Sequence, residues 1–93
     1  MDITKPAIYF ERKVRAFIEW PGTFIDLEGQ VLKVRKVEVS TISNFNPGKR
    51  VVFEKYPAIC TAEGMVILKE VQPPGKKWMD GSAYLNGIKN WQN

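Results

Sequence analysis

Seven basic side chains fall into two stretches of this 93-residue sequence: Lys33, Arg35, Lys36, Lys49 and Arg50 in the middle, and Lys76 with Lys77 after Gln72-Pro73-Pro74-Gly75. Ammonium and guanidinium groups contact phosphate oxygens, which positions a polyanion without reading its sequence. The bland alternative is ordinary solubility charge. The distribution speaks for the first reading. Residues 31 to 56 hold six basic groups against two acidic ones, whereas residues 19 to 30 hold Glu19, Asp26 and Glu28 and no basic group. The net charge of +4 is thus concentrated where strands are expected, which implies a basic face turned toward a polyanion.

Other chemistries find little material. The sequence has no histidine, which removes the commonest general base and the commonest metal ligand. One cysteine and scattered carboxylates give no zinc spacing, a serine or cysteine nucleophile lacks its partner base, and no glycine pattern for phosphate or dinucleotide binding is present. Neither an independent enzyme nor a metal site is expected. Cys60, in Ala58-Ile59-Cys60-Thr61, reads as a buried strand residue in preference to a reactive thiol, and Asp26 and Glu28 read as solvated turn residues in preference to cation ligands. Trp20, Trp78 and Trp91 could each be a stacking platform, but Trp20 and Trp78 are assigned in preference to packing at the ends of a barrel. Trp91 lies in a polar tail that gives it no assignment. Phe45, between Asn44 and Asn46, either stacks on a base or covers the barrel mouth, the second being favoured.

These groups need a scaffold, and the hydrophobic pattern supplies one. Ile3, Ala7, Phe10, Val14 and Phe17 recur at spacings of 4, 3, 4 and 3, the stripe of an amphipathic helix. Thr4 is its expected N-cap, Pro6 lies in its first turn, and Pro21 bounds its far end. From Gly22 the period becomes two. Leu27-Glu28-Gly29-Gln30 predicts a hairpin turn, followed by a long β-branched strand from Val31 to Val39. In that strand the apolar positions switch from even (Leu32, Val34) to odd (Val37, Val39), which predicts a bulge near Arg35-Lys36. Thr41 to Lys49 is a loop containing a type II turn at Asn46-Pro47-Gly48. Strands are expected at Arg50–Glu54, at Ala58–Thr61 with Pro57 opening it, and at Met65–Val71. Asp80 should cap a last helical turn through Leu85 that Gly87 stops. The expectation is one domain over residues 1 to 93: mainly β, a small five-stranded oligonucleotide-binding (OB)-like barrel, with an N-terminal helix in residues 1 to 20 packed on it and a short C-terminal helix. A lone cysteine, no signal-like N-terminus and no apolar run long enough for a membrane span make the cytoplasm the default location.

Several segments, taken in order, resemble the C-terminal domain of methionyl-tRNA formyltransferase. They are Lys5-Pro6-Ala7, Val14-Arg15-Ala16-Phe17, Trp20-Pro21-Gly22-Thr23-Phe24, Gly29-Gln30-Val31-Leu32-Lys33-Val34, Pro47-Gly48, and Val71-Gln72-Pro73-Pro74-Gly75-Lys76-Lys77-Trp78-Met79 with Leu85-Asn86-Gly87. The resemblance implies an OB-like domain that follows a Rossmann-like catalytic domain and helps hold the initiator tRNA by a basic surface, in the service of translation initiation. It implies that Arg15, Lys33, Lys76 and Lys77 match the family's basic positions, with the last three as candidates for tRNA contact. Formyl transfer in that family uses 10-formyltetrahydrofolate and an Asn, His, Asp set in the other domain, so the resemblance implies no cofactor in this chain. The tRNA-binding candidates are therefore Lys33, Arg35, Lys36, Lys49, Arg50, Lys76 and Lys77, and the implied partners are tRNA and a catalytic domain.

Two other readings stay open. Related domains end amino-sugar formyltransferases and formyltetrahydrofolate dehydrogenases, where this would be a docking domain that buries the Ile3–Phe17 stripe on its partner and touches no nucleic acid. A free single-strand binder is the third, and it needs exposed aromatics on the barrel face, for which the sequence offers only Phe45.

Overall fold

Helix α1 (Ala7–Ala16) opens the computed structural model, which describes residues 3–17, 22–27, 29–41, 46–88 and 91. Ala7, Phe10 and Val14 of the expected stripe are buried against the chain's own sheet. The expectation that a docking role would bury this stripe on a partner is corrected by that packing. Phe17 is 49% exposed beyond the last turn, where its N–H donates to the Lys13 carbonyl at 3.1 Å. The helix also starts later than a Thr4 cap implies. Pro6 is the N-cap and bridges Glu63 in parallel, the Ala7 N–H donates to the Glu63 carbonyl at 2.9 Å, and the Ala62 N–H donates to the Ile3 carbonyl at 2.8 Å. Residues 3 to 5 thus form a turn and a bend that lead to the Pro6 bridge, and tertiary backbone bonds hold them outside the helix. The helix boundary set by Pro21 lies outside the described residues.

Strands β1 (Thr23–Leu27) and β2 (Gln30–Ser40) form the expected hairpin, with Leu27 paired to Gln30 across the turn and Asp26 accepting the Gly29 N–H at 3.1 Å. The predicted bulge is present. The pairing of β2 with β5 (Met65–Gln72) shifts register between Val34 and Lys36 and again between Lys36 and Val37. The Asn46-Pro47-Gly48 turn closes with the Lys49 N–H donating to the Asn46 carbonyl at 3.1 Å. Strands β3 (Arg50–Phe53) and β4 (Tyr56–Cys60) are joined more tightly than expected. Glu54 and Lys55 both take positive φ, 50° and 73°, so Pro57 does not open its strand but pairs with Val52 inside a two-residue hairpin. A short β6 (Met79–Asp80) then runs into α2 (Gly81–Gly87), and Asp80 caps that helix by accepting the Ser82 N–H at 3.2 Å.

The strand order is β1-β2-β5-β4-β3. Strand β6 follows β4 along the same edge of β5: β4 pairs with Met65–Ile67, and β6 with Glu70 and Val71. The mainly-β class with a helix near each end is as expected, but there are six strands, and among the described residues β1 and β3 do not pair, so the sheet is not closed into a barrel. The helices do the work of closure. Helix α1 packs on β2 and β5, and α2 on β4 and β5. Together they seal a core of Phe10, Val14, Ile25, Leu32, Val34, Ile59, Val66, Leu68, Val71, Tyr84 and Trp91. A second cluster, Val51, Ala58, Cys60, Met65 and Ile67, makes β4 and the first half of β5 buried on both faces.

Candidate nucleic-acid interface

Leu32 and Val34 point into the core, so Lys33 between them is turned to the other side of the sheet, while Arg35, at the register shift, is half-buried. Lys33 pairs with Phe24 on one side and Gln72 on the other, and its ammonium lies 5.8 Å from the centre of the Phe24 ring. Gln72 leads into the Pro73–Lys76 turn and ties it down, its amide donating to the Lys76 carbonyl at 2.9 Å while the Lys76 N–H donates to the Pro73 carbonyl at 3.1 Å. Gly75 has φ of 73°, the left-handed geometry at the third position of a type II turn, with Pro74 preset at the second. The turn leaves Lys76 and Lys77 exposed. Trp78 follows directly, and the Arg35 guanidinium sits 4.5 Å over its ring while Nη2 lies 3.2 Å from Glu70 Oε2.

Lys33, Arg35, Lys76 and Lys77 are therefore brought to one region by β2, the end of β5 and the turn before β6. Lys36, which pairs with Glu70 between the two register shifts, is exposed and lines a groove of about 450 Å³ between α1 and β2 together with Glu11, Arg15, Arg35 and Glu70. Lys49 and Arg50 are elsewhere. They open β3, at the far end of the strand order, with β5 and β4 between them and β2. There Arg50 lies 5.6 Å over the ring of Trp91, which is only 5% exposed, packs edge-on against Tyr84 and donates its indole N–H to the Val51 carbonyl at 2.9 Å.

The aromatics are distributed differently from the expectation. Trp78 is half-buried under a guanidinium instead of plugging a barrel end, and Phe24 is 43% exposed. Strand alternation places Phe24 opposite the core-facing Thr23 and Ile25, a signal present in the sequence that only the covered side of the sheet makes readable. Lys69 also escaped attention; its ammonium stands 3.6 Å over the Tyr56 ring and 3.8 Å from Glu38. Phe45, Glu28 and Trp20 lie outside the described residues. Cys60 is fully buried, and burial pushes its thiol pKa up, the opposite of an activated nucleophile. Among the described residues no cluster of acidic or cysteine side chains has the grouping a metal ion needs, and no helix is long and apolar enough to cross a membrane.

Comparison with known proteins places this architecture. The family described as the formyl transferase C-terminal domain matches residues 1–89. The chain belongs to this family. It is 38% identical to a methionyl-tRNA formyltransferase of Myxococcus xanthus, in an alignment that covers 96% of this chain and 28% of that protein. The chain therefore spans little more than a quarter of the curated relative's length. Formyl transferase C-terminal domains are thus the frame in which the basic face has to be understood, and the Pro-Pro-Gly-Lys-Lys turn is a built element of it, braced by Gln72.

Proposed function

We propose that this chain is the tRNA-holding, non-catalytic module of a methionyl-tRNA formyltransferase, positioning the initiator tRNA so that its methionyl group reaches a catalytic domain of the same enzyme. Formyl transfer from 10-formyltetrahydrofolate belongs to that other domain, and the setting is the cytoplasm. The observation that carries this reading is the placing of Lys33 and Arg35 on β2 next to the braced turn that exposes Lys76 and Lys77, within a family whose relative is named for action on methionyl-tRNA. Cations fixed by strands and a braced turn suit a rigid, duplex-like limb, gripped through its phosphates and shape without base reading.

Binding of this kind depends steeply on salt. With about 4 to 6 phosphate contacts, the slope of log affinity against log salt concentration is about −4 to −5. Titration of labelled initiator tRNA at several salt concentrations measures it, and Lys76→Glu/Lys77→Glu should both weaken binding and flatten the slope. Salt-independent binding, or an unchanged affinity in the double variant, would overturn the assignment.

A further inference from the structure

Cations alone suffice to grip a duplex, yet this face also presents aromatic rings in a regular row. Phe24 pairs with Lys33, and Lys33 with Gln72. Because Val71 pairs with Met79, the next step out aligns Gln72 with Trp78. The row thus reads aromatic, cation, amide, aromatic across four neighbouring segments, and three strand intervals of ~4.8 Å put its ends about 14 Å apart. A ring 43% exposed on a strand gains nothing from a duplex, whose base faces are already stacked.

Arg35 refines the picture. Its charge is already shared with Glu70 at 3.2 Å, and its guanidinium carbon lies 4.5 Å over the Trp78 ring. It remains 39% exposed, so what it offers outward is a fixed planar surface more than an unpaired charge. Guanidinium planes and aromatic rings are the two surfaces on which proteins stack unpaired bases. Asp26, on the same side of β1 as Phe24 and opposite Val31, puts a carboxylate toward the hairpin turn. That carboxylate repels a phosphate chain, so the favourable track runs from Phe24 past Lys33 to the Arg35–Trp78 pair.

We propose that the outer row of β1, β2, β5 and β6 stacks unpaired nucleotides of the bound RNA: Phe24 takes one base, the Arg35–Trp78 pair takes a second, and Lys33 contacts the phosphate that links them. The inference rests on the RNA-binding reading above and adds to it a preference for a single-stranded segment.

Fluorescence anisotropy with two probes, an oligouridylate of about twelve nucleotides and a blunt RNA duplex of similar length, tests it on the full chain. Phe24→Leu keeps the apolar bulk and removes the ring. It should weaken oligouridylate binding about tenfold and leave duplex binding unchanged, and Phe24→Trp should bind oligouridylate at least as well as the parent. Equal oligouridylate affinity in Phe24→Leu and parent overturns the stacking site, as does a parent that binds the duplex but not the single strand. In either case, weakening of duplex binding by Lys76→Glu/Lys77→Glu leaves the RNA-binding reading standing; a parent that binds neither probe nor tRNA overturns both. Should the leucine variant melt early, the tryptophan variant decides: loss of oligouridylate binding there, with parental melting, also overturns the proposal.

Discussion

Asp80 serves two elements at once. Its carboxylate caps α2 by accepting the Ser82 N–H and the Ser82 hydroxyl, and it accepts the Tyr56 hydroxyl at 3.3 Å, tying the helix start to β4. The bond from the Ser82 hydroxyl, more than the weaker effects of Tyr56 and Lys69, holds its carboxyl pKa below the ordinary carboxylate range. A lowered folded-state value means that the ionised carboxylate stabilises the fold above the ordinary pKa of ~4, and that this contribution disappears as pH falls through the folded value. Asp80→Ala should therefore cost about 1 kcal/mol at neutral pH, the usual worth of an N-cap. In urea melts the gap between variant and parent should close as the pH is lowered toward about 2, and a gap constant with pH would refute the assignment.

At the scale of elements, the join between β6 and α2 leaves no room for a side chain at Gly81. A Cβ on Gly81 would stand 1.9 Å from the Leu68 carbonyl oxygen, a backbone atom that cannot swing aside. Alanine would improve the helix by about 1 kcal/mol in propensity, but the clash outweighs it, and Gly81→Ala should lose about 3 kcal/mol. Guanidinium chloride melts measure this directly, and parental stability would show that the helix start can yield. The same elements show what the sequence makes legible. The bulge at Arg35 and the hairpin at Leu27–Gln30 were readable because each rests on a local pattern, a phase change in one and a glycine turn in the other. The start of α1 was not, because Glu63 and Ala62, distant in sequence, bond to the backbone of Ala7 and Ile3 and keep residues 3 to 6 outside the helix. The Glu54-Lys55 turn was not, because neither residue favours positive φ and the strand pairing imposes it. Phe24 was missed, and Trp78 was assigned to packing, for a third reason: alternation tells which residues share a face but not which face the helices will cover.

Over the whole molecule, the basic residues that looked like one set divide between two places, with β5 and β4 separating β3 from β2. Arg50 is engaged with Trp91 above the core, and Lys49 stands at the start of the strand farthest from β1 in the order. Charge reversal should report this division: Lys49→Glu should weaken tRNA binding several-fold less than Lys76→Glu at the same salt, since one phosphate contact is lost only in the second. Equal losses would extend the RNA track to β3. The row that links Phe24, Lys33, Gln72 and Trp78 has one more consequence, which concerns time instead of affinity. Half of it belongs to the β1–β2 hairpin and half to the β5–β6 end of the chain, joined by pairings between residues far apart in sequence, the kind of contact that forms slowly. A nascent chain that has emerged only as far as β4 holds Phe24, Lys33 and Arg35 but no Trp78, so a complete platform comes into being only when the last strand docks.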